Sequence, residues 1–122
     1  MRLDDELRQR TKAFASRVVR FYAALPRRRK EIEVLGHQLL RSRTSIAANV
    51  REASRARSDL EFCSKLEIAL QEADESQLWI ELLMEDCGIT DEASSWLLRE
   101  VNELIAIFVT IVSRTRHQML KH

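Results

Sequence analysis

The sequence predicts an all-α protein that folds as an antiparallel up-down-up-down four-helix bundle. The 122 residues contain two glycines and one proline, too few for the frequent turns of a β-sandwich or β-barrel. Apolar residues recur at spacings of three and four in four stretches, which is the period of one helix face. The connections between these stretches are short, so consecutive helices are expected to run antiparallel, and residues 1–122 are expected to form a single domain.

The first two helices meet at Pro26. The residue before a proline is disfavoured in the helical conformation, so the first helix should end there. Its apolar face consists of Leu3, Leu7, Phe14, Val18, Phe21 and Leu25. The face of the second helix consists of Ile32, Leu35, Leu39, Ile46, Val50 and Ala53, and residues 55–58 form a short connection.

Two polar residues, Ser42 and Asn49, lie on the core-facing line of the second helix. A buried amide needs a hydrogen-bond partner, so we expect Asn49 to pair with a neighbouring helix and fix its register. The alternative is that Asn49 contacts a ligand or a partner.

The third helix begins with a capping box. The side chain of Ser58 should accept from the amide of Glu61, and the Glu61 carboxylate should cap the amide of Ser58. The core-facing positions are Phe62, Leu66, Ala69, Ala73, Ser76, Ile80, Leu83 and Cys87. Gly88 should close the helix in the left-handed conformation, and Thr90 should cap the fourth helix. That helix carries Trp96, Leu97, Val101, Leu104, Ile105, Phe108, Ile111 and Val112.

The third helix is apolar on a second side as well. At about 100° per residue, Leu60, Leu78 and Leu82 point away from the core-facing line, with Ile68 and Trp79 on an adjoining line. A bundle core requires one apolar face, so the second face predicts a subunit interface of a homo-oligomer. The alternative is a broad core face with scattered exposed leucines, which are common on protein surfaces.

Composition and motifs argue against a membrane protein and against an enzyme. The longest uncharged apolar stretch, Leu104 to Ser113, is far shorter than the roughly 20 residues that span a bilayer. The first residues lack the pattern of a signal or transit peptide, so we expect a cytoplasmic location. Cys63 and Cys87 are then expected to be buried, reduced thiols. The sequence contains no Glu-x-x-His pair, phosphate-binding loop or nucleophile elbow, so we expect no catalytic residue, no metal and no cofactor.

Charge divides the chain into two halves. Residues 1–57 hold 15 Lys and Arg against 6 Asp and Glu, whereas residues 58–122 hold 5 against 13. The net charges of +9 and −8 nearly cancel in the total of +1. The cations that could bind a partner are Arg27, Arg28, Arg29, Lys30, Arg41, Arg43, Arg51, Arg55 and Arg57.

Two interpretations of the basic half remain open. Antiparallel packing should bring Arg27–Lys30 near the acidic end of the third helix, at Glu81, Glu85 and Asp86, so the charges could pair within or between subunits. Alternatively, the cations could neutralise phosphates of RNA or DNA. Aromatic residues are not interleaved with these cations, so such binding would be directed to the backbone and tolerant of sequence.

The stretch LRSRTSIAANVREA, with Ser45, Asn49 and Glu52, and the pattern EF..KL.IAL.EA.E...W that ends at Trp79 carry a family resemblance. The sequence resembles the bacterial four-helix-bundle proteins encoded in intervening sequences of large-subunit (23S) ribosomal RNA genes. The resemblance implies a homopentameric ring with a central channel. The family is in turn similar to the accessory variability determinant protein of diversity-generating retroelements, a basic pentamer that associates with a reverse transcriptase and nucleic acid.

From these observations we expect an interaction scaffold that assembles with itself and binds a protein partner. The alternative function is a nucleic-acid-binding accessory module that works with a reverse transcriptase or RNA.

Overall fold

Four helices make up the protein. The computed structural model describes residues 5–27 and 29–121. The helices are α1 Asp5–Ala24, α2 Lys30–Ser54, α3 Asp59–Glu85 and α4 Glu92–Leu120. α2 packs against α1 and α3, and α4 packs against α3 and, over a shorter stretch, against α1. Each helix therefore has two neighbours, which confirms the predicted four-helix bundle.

The predicted apolar faces meet in one core. Residues of all four helices that have no exposed surface include Phe14, Val18, Ile32, Leu39, Ile46, Phe62, Leu66, Ile80, Leu83, Val101, Leu104 and Phe108. Both cysteines are buried as expected. Four residues predicted for these faces, Leu35, Trp96, Ile105 and Ile111, are half-buried and pack against the edge of the core. Leu3 and Arg28, which also entered the predictions, lie outside the described residues.

α1 and α2 approach closely where the chain reverses. A Cβ atom on Gly36 of α2 would lie 2.7 Å from Leu25 Cδ1 and 3.1 Å from Tyr22 Cδ1. A Cβ atom at this position would displace the two side chains, so Gly36 permits this close packing of α2 against Tyr22 and Leu25.

The start of α3 follows the predicted capping box with one difference. Ser58 Oγ accepts from the amide of Glu61 at 3.1 Å, as predicted. Glu61 Oε1 accepts from the amide of Arg57 at 3.0 Å, one residue before the predicted partner. The first turn of α3 is thus tied to the connection that precedes it.

The start of α4 corrects the prediction of its cap. Gly88 adopts the expected left-handed conformation, with φ of 71°. However, Asp91 rather than Thr90 is the N-cap, because the backbone of Asp91 is extended and its side chain accepts from the amide of Ser94 at 2.8 Å. A carboxylate is also favoured at this position by the helix dipole.

None of the helices in the described ranges combines the length and the apolar composition that crossing a membrane requires.

Candidate interaction surfaces

The outer face of α3 carries the residues predicted for a subunit interface. Leu60, Ile68 and Leu78 are 59%, 41% and 46% exposed. Trp79 and Leu82 are half-buried, and Trp79 packs against the core. The five residues therefore divide into three with side chains in solvent and two that the bundle itself partly covers.

Acidic residues border this apolar line on both sides. At 3.6 residues per turn, Glu61 and Glu72 lie along one edge, Asp74 and Glu81 lie along the other, and Glu75 lies within the line. Within the described chain, Glu72 and Glu75 form no ion pair. We call Leu60, Ile68, Glu72, Glu75 and Leu78 together the α3 stripe.

Two polar atoms of α3 are buried without a hydrogen-bond partner among the described residues. They are Ser76 Oγ, on the core side, and Trp79 Nε1. Neither position was identified from the sequence as polar and unsatisfied, because the helical period shows which way a side chain points and not which acceptors surround it.

Two polar residues of the family motif, Asn49 and Glu52, form contacts within the bundle. Asn49 Nδ2 donates to the carbonyl oxygen of Ser45 at 2.8 Å and to Ser45 Oγ at 3.2 Å. The predicted bond from Asn49 to a neighbouring helix is therefore wrong, since the side chain bonds to its own helix one turn earlier. Glu52 instead links two helices, because its carboxylate lies 2.8 Å from Lys65 Nζ of α3 and raises the pKa of Lys65.

The end of α3 and the start of α2 are neighbours, as antiparallel packing predicted. Arg29 Nη2 donates to the carbonyl oxygen of Asp86 at 3.4 Å. The contact is to the backbone, and within the described chain the carboxylates of Glu81, Glu85 and Asp86 form no ion pair with the basic segment. Arg27 lies 4.5 Å from the centre of the Tyr22 ring. Among the described residues of the segment, Arg27, Arg29 and Lys30, these charges do not pair with the acidic end of α3 within the subunit.

Most cations of the predicted binding set have no acidic partner in the described part of the chain. Arg29 is an exception, with Glu31 at 4.0 Å. Those that form no ion pair with a described residue are Arg27, Lys30, Arg41, Arg43, Arg51, Arg55 and Arg57.

A groove on the outer side of α1 and α2 was not predicted. Its apolar part, with a volume of about 440 Å³, is lined by the small side chains of Ala15, Ala47 and Ala48 and by the larger, exposed side chain of Val19. The cations along the groove are Arg8, Lys12, Arg43, Arg51 and Arg55. Lys12 and Arg51 line both its apolar part and its polar end, so the two parts are continuous. We call this feature the α1/α2 groove.

One signal in the sequence could have indicated the α2 side of this groove. Val34, Arg41, Ala48 and Arg55 recur every seven residues on the side of α2 that faces away from the core, and the last two of these residues line the groove. The α1 side depends on how the two helices are rotated against each other, which the sequence pattern does not give.

Ion pairs between helices lie elsewhere. Arg10 of α1 makes two hydrogen bonds to the carboxylate of Glu100 in α4, at 2.9 and 2.8 Å, and these raise the pKa of Arg10. Arg116 of α4 binds Glu67 of α3 in the same two-pronged way, at 3.2 and 2.7 Å. These ion pairs link α4 to α1 and to α3.

The fold and these surfaces define a class of protein: an all-α helical bundle whose candidate interaction residues lie on its outer faces. In residues 5–27 and 29–121, no three His, Cys, Asp or Glu side chains converge as metal ligands do. Residues 4–110 match the 23S rRNA-intervening sequence protein family. The chain belongs to this family, which confirms the family resemblance seen in the sequence.

The chain is also similar to a solved structure. The chain is 39% identical to a protein of unknown function from the S23 ribosomal protein family of Bacteroides thetaiotaomicron VPI-5482. The match covers 87% of this chain and 97% of the other, with a TM-score of 0.78. A comparison with curated proteins gives no match.

Proposed function

We propose that this protein is a non-catalytic, cytoplasmic homo-oligomer that acts as an interaction scaffold for protein partners, a pentameric ring as the family resemblance implies. The observation that carries the proposal is the exposure of Leu60, Ile68 and Leu78 along one side of α3. A line of large aliphatic side chains bordered by charged residues is typical of a surface that a second protein covers.

The exposed fractions of these side chains give the approximate free energy of the contact. Full burial of a Leu or Ile side chain stabilises by about 1.5–3 kcal/mol. Ile68 and Leu78 expose 41% and 46% of their surfaces, so covering both contributes about 1.3–2.6 kcal/mol per contact. Their loss should weaken each contact about tenfold to eightyfold.

Sedimentation velocity and light scattering test the assembly. We expect the wild-type protein at micromolar concentration to have a mass five times the 14.3 kDa of the chain. The double variant Ile68→Ala, Leu78→Ala should dissociate at higher concentration than the wild type. The matched control is Val34→Ala, Val109→Ala, because these side chains are similarly exposed, at 48% and 49%, on other helices. A wild-type protein that remains monomeric contradicts the proposal.

A second candidate function, a nucleic-acid-binding accessory module that works with a reverse transcriptase or RNA, is favoured by a separate observation. Seven cations of the basic half form no ion pair with described residues, so they are available to phosphates. Binding through them should weaken steeply with salt and depend little on sequence.

Titration of labelled single-stranded and duplex RNA and DNA at low salt tests this candidate. Arg41→Ala with Arg57→Ala should lower the affinity for every sequence alike and flatten the salt dependence. Arg99→Ala with Arg114→Ala on α4 is the control, because these exposed cations lie outside the predicted set. Absence of binding up to tens of micromolar would rule the candidate out.

A further inference from the structure

We infer that the α1/α2 groove is the docking site for the α3 stripe of a second copy of this chain, so that subunits join head to tail. The inference rests on the proposed self-assembly and specifies which two surfaces meet. It starts from two features that each combine apolar side chains with charge: the groove is lined mainly by cations, with Asp5 paired to Arg8 at its polar end, and the stripe carries acids.

The two surfaces are complementary in charge. The cations along the groove include Arg43, Arg51 and Arg55, which form no ion pair in the described chain. Glu72 and Glu75 of the α3 stripe likewise form none. A basic surface and an acidic surface attract each other when they lie on different subunits and neither is paired within its own subunit.

They are also complementary in shape. The floor of the groove is built from small side chains, including Ala15, Ala47 and Ala48, which leave room between α1 and α2 for protruding residues. Leu60, Ile68 and Leu78 of the α3 stripe are large and protrude into solvent. Large aliphatic side chains that enter a groove of small residues bury apolar surface on both partners.

The positions of the two surfaces determine the symmetry. The groove is formed by α1 and α2, whereas the stripe is on the outer face of α3. One contact therefore joins different patches on its two subunits, and each subunit keeps one free groove or stripe for the next. Such contacts form closed rings or open filaments. A two-fold contact of stripe against stripe would instead place Glu72 and Glu75 opposite the same acids of the partner, which is unfavourable.

Two complementary variants test the pairing. The groove variant is Arg51→Glu, Arg55→Glu, and the stripe variant is Glu75→Arg, Leu78→Arg. Each should assemble about a hundredfold or more weakly than the wild type, because like charges then face each other across the contact. The control Arg99→Glu, Arg114→Glu reverses two exposed cations of α4 and should assemble as the wild type does.

The decisive sample is an equimolar mixture of the two variants. The intact stripe of the groove variant can dock into the intact groove of the stripe variant, and the reversed groove and reversed stripe that remain again carry opposite charges. We therefore expect the mixture to form complexes in sedimentation velocity, at least a 1:1 dimer, at concentrations where each variant alone is monomeric. Circular dichroism checks that each variant is folded, and Arg51→Gln with Arg55→Gln replaces the groove variant if it is not.

The other outcomes separate the inference from the proposal on which it rests. A monomeric wild type refutes the self-assembly itself. A wild-type oligomer together with a groove variant that assembles normally refutes the pairing alone, as does a mixture that stays monomeric. A groove variant that assembles normally but no longer binds RNA or DNA would assign the groove to nucleic acid and overturn the inference.

Discussion

Replacement of Ser76 by alanine should stabilise the protein. Ser76 and Ser94 are both fully buried. Ser94 Oγ donates to the carbonyl oxygens of Ile89 and Asp91 at 3.1 and 2.9 Å, whereas Ser76 Oγ has no partner among the described residues. The two serines thus form a matched pair that differs in hydrogen bonding.

The expected size follows from this difference. A buried polar group without a partner destabilises the folded state by about 1–3 kcal/mol. Alanine is also the better helix former, by a few tenths of a kcal/mol at this mid-helix position. Loss of the oxygen's packing contacts offsets part of the gain. We therefore expect Ser76→Ala to raise the free energy of unfolding by about 1 kcal/mol, and Ser94→Ala to lower it by about 1 kcal/mol.

Urea unfolding followed by far-UV circular dichroism measures both changes. All samples need equal protein concentrations, because self-association stabilises the folded subunit by mass action. The melting temperatures should move in opposite directions, each by about 3–6 °C. If Ser76→Ala destabilises as much as Ser94→Ala does, the reasoning from unsatisfied hydrogen bonding is refuted.

Two further predictions concern the helix cap and the contact between α1 and α4. Asp91→Ala should destabilise by about 1 kcal/mol because it removes the N-cap of α4, while Thr90→Ala should change the unfolding free energy by less than about 0.5 kcal/mol; equal effects in thermal unfolding would contradict the assignment of the cap. Arg10→Met removes a two-pronged, partly buried ion pair with Glu100 and should destabilise by about 1–2 kcal/mol. Arg20→Met, at an exposed position of the same helix, is the control, and an equally large loss there would show that the pair is not the cause.

The helices and the core were predictable because both follow from the spacing of apolar residues along the chain. A helix places every third or fourth residue on one face wherever it lies, so Phe14, Phe62 and Phe108 could be assigned to the core without knowledge of their neighbours. The capping serine at residue 58 was predictable for the same reason, since its partner is three residues away.

The wrong predictions involve choices between nearby alternatives. Thr90 and Asp91 both suit an N-cap, and the backbone conformation decides between them. Asn49 lies close to the core, but a carbonyl one turn earlier on its own helix satisfies the amide more readily than a distant helix does. Local hydrogen bonds of this kind compete with contacts between helices and are not visible in the apolar period.

The α1/α2 groove could not be predicted because it belongs to two helices at once. The spacing of Arg41, Ala48 and Arg55 marks a line on α2, but the cavity beside that line depends on the rotation and separation of α1. Gly36 influences that separation through its contact with Leu25. A pattern in one helix therefore indicates which residues are exposed, whereas a groove also requires the position of the neighbouring helix.

The charge distribution links the fold to the proposed assembly. Arg10 neutralises Glu100 across the bundle, but Arg43, Arg51 and Arg55 stay unpaired within the described chain, and so do Glu72 and Glu75. The near-zero net charge of +1 therefore does not mean that all charges are paired inside one subunit. A second copy of the chain can neutralise opposite charges that remain on separate faces, because each copy carries 20 Lys and Arg and 19 Asp and Glu. A nucleic acid would pair with the basic groove and leave the acidic α3 stripe uncovered, and for this reason we propose self-assembly as the role of these two faces.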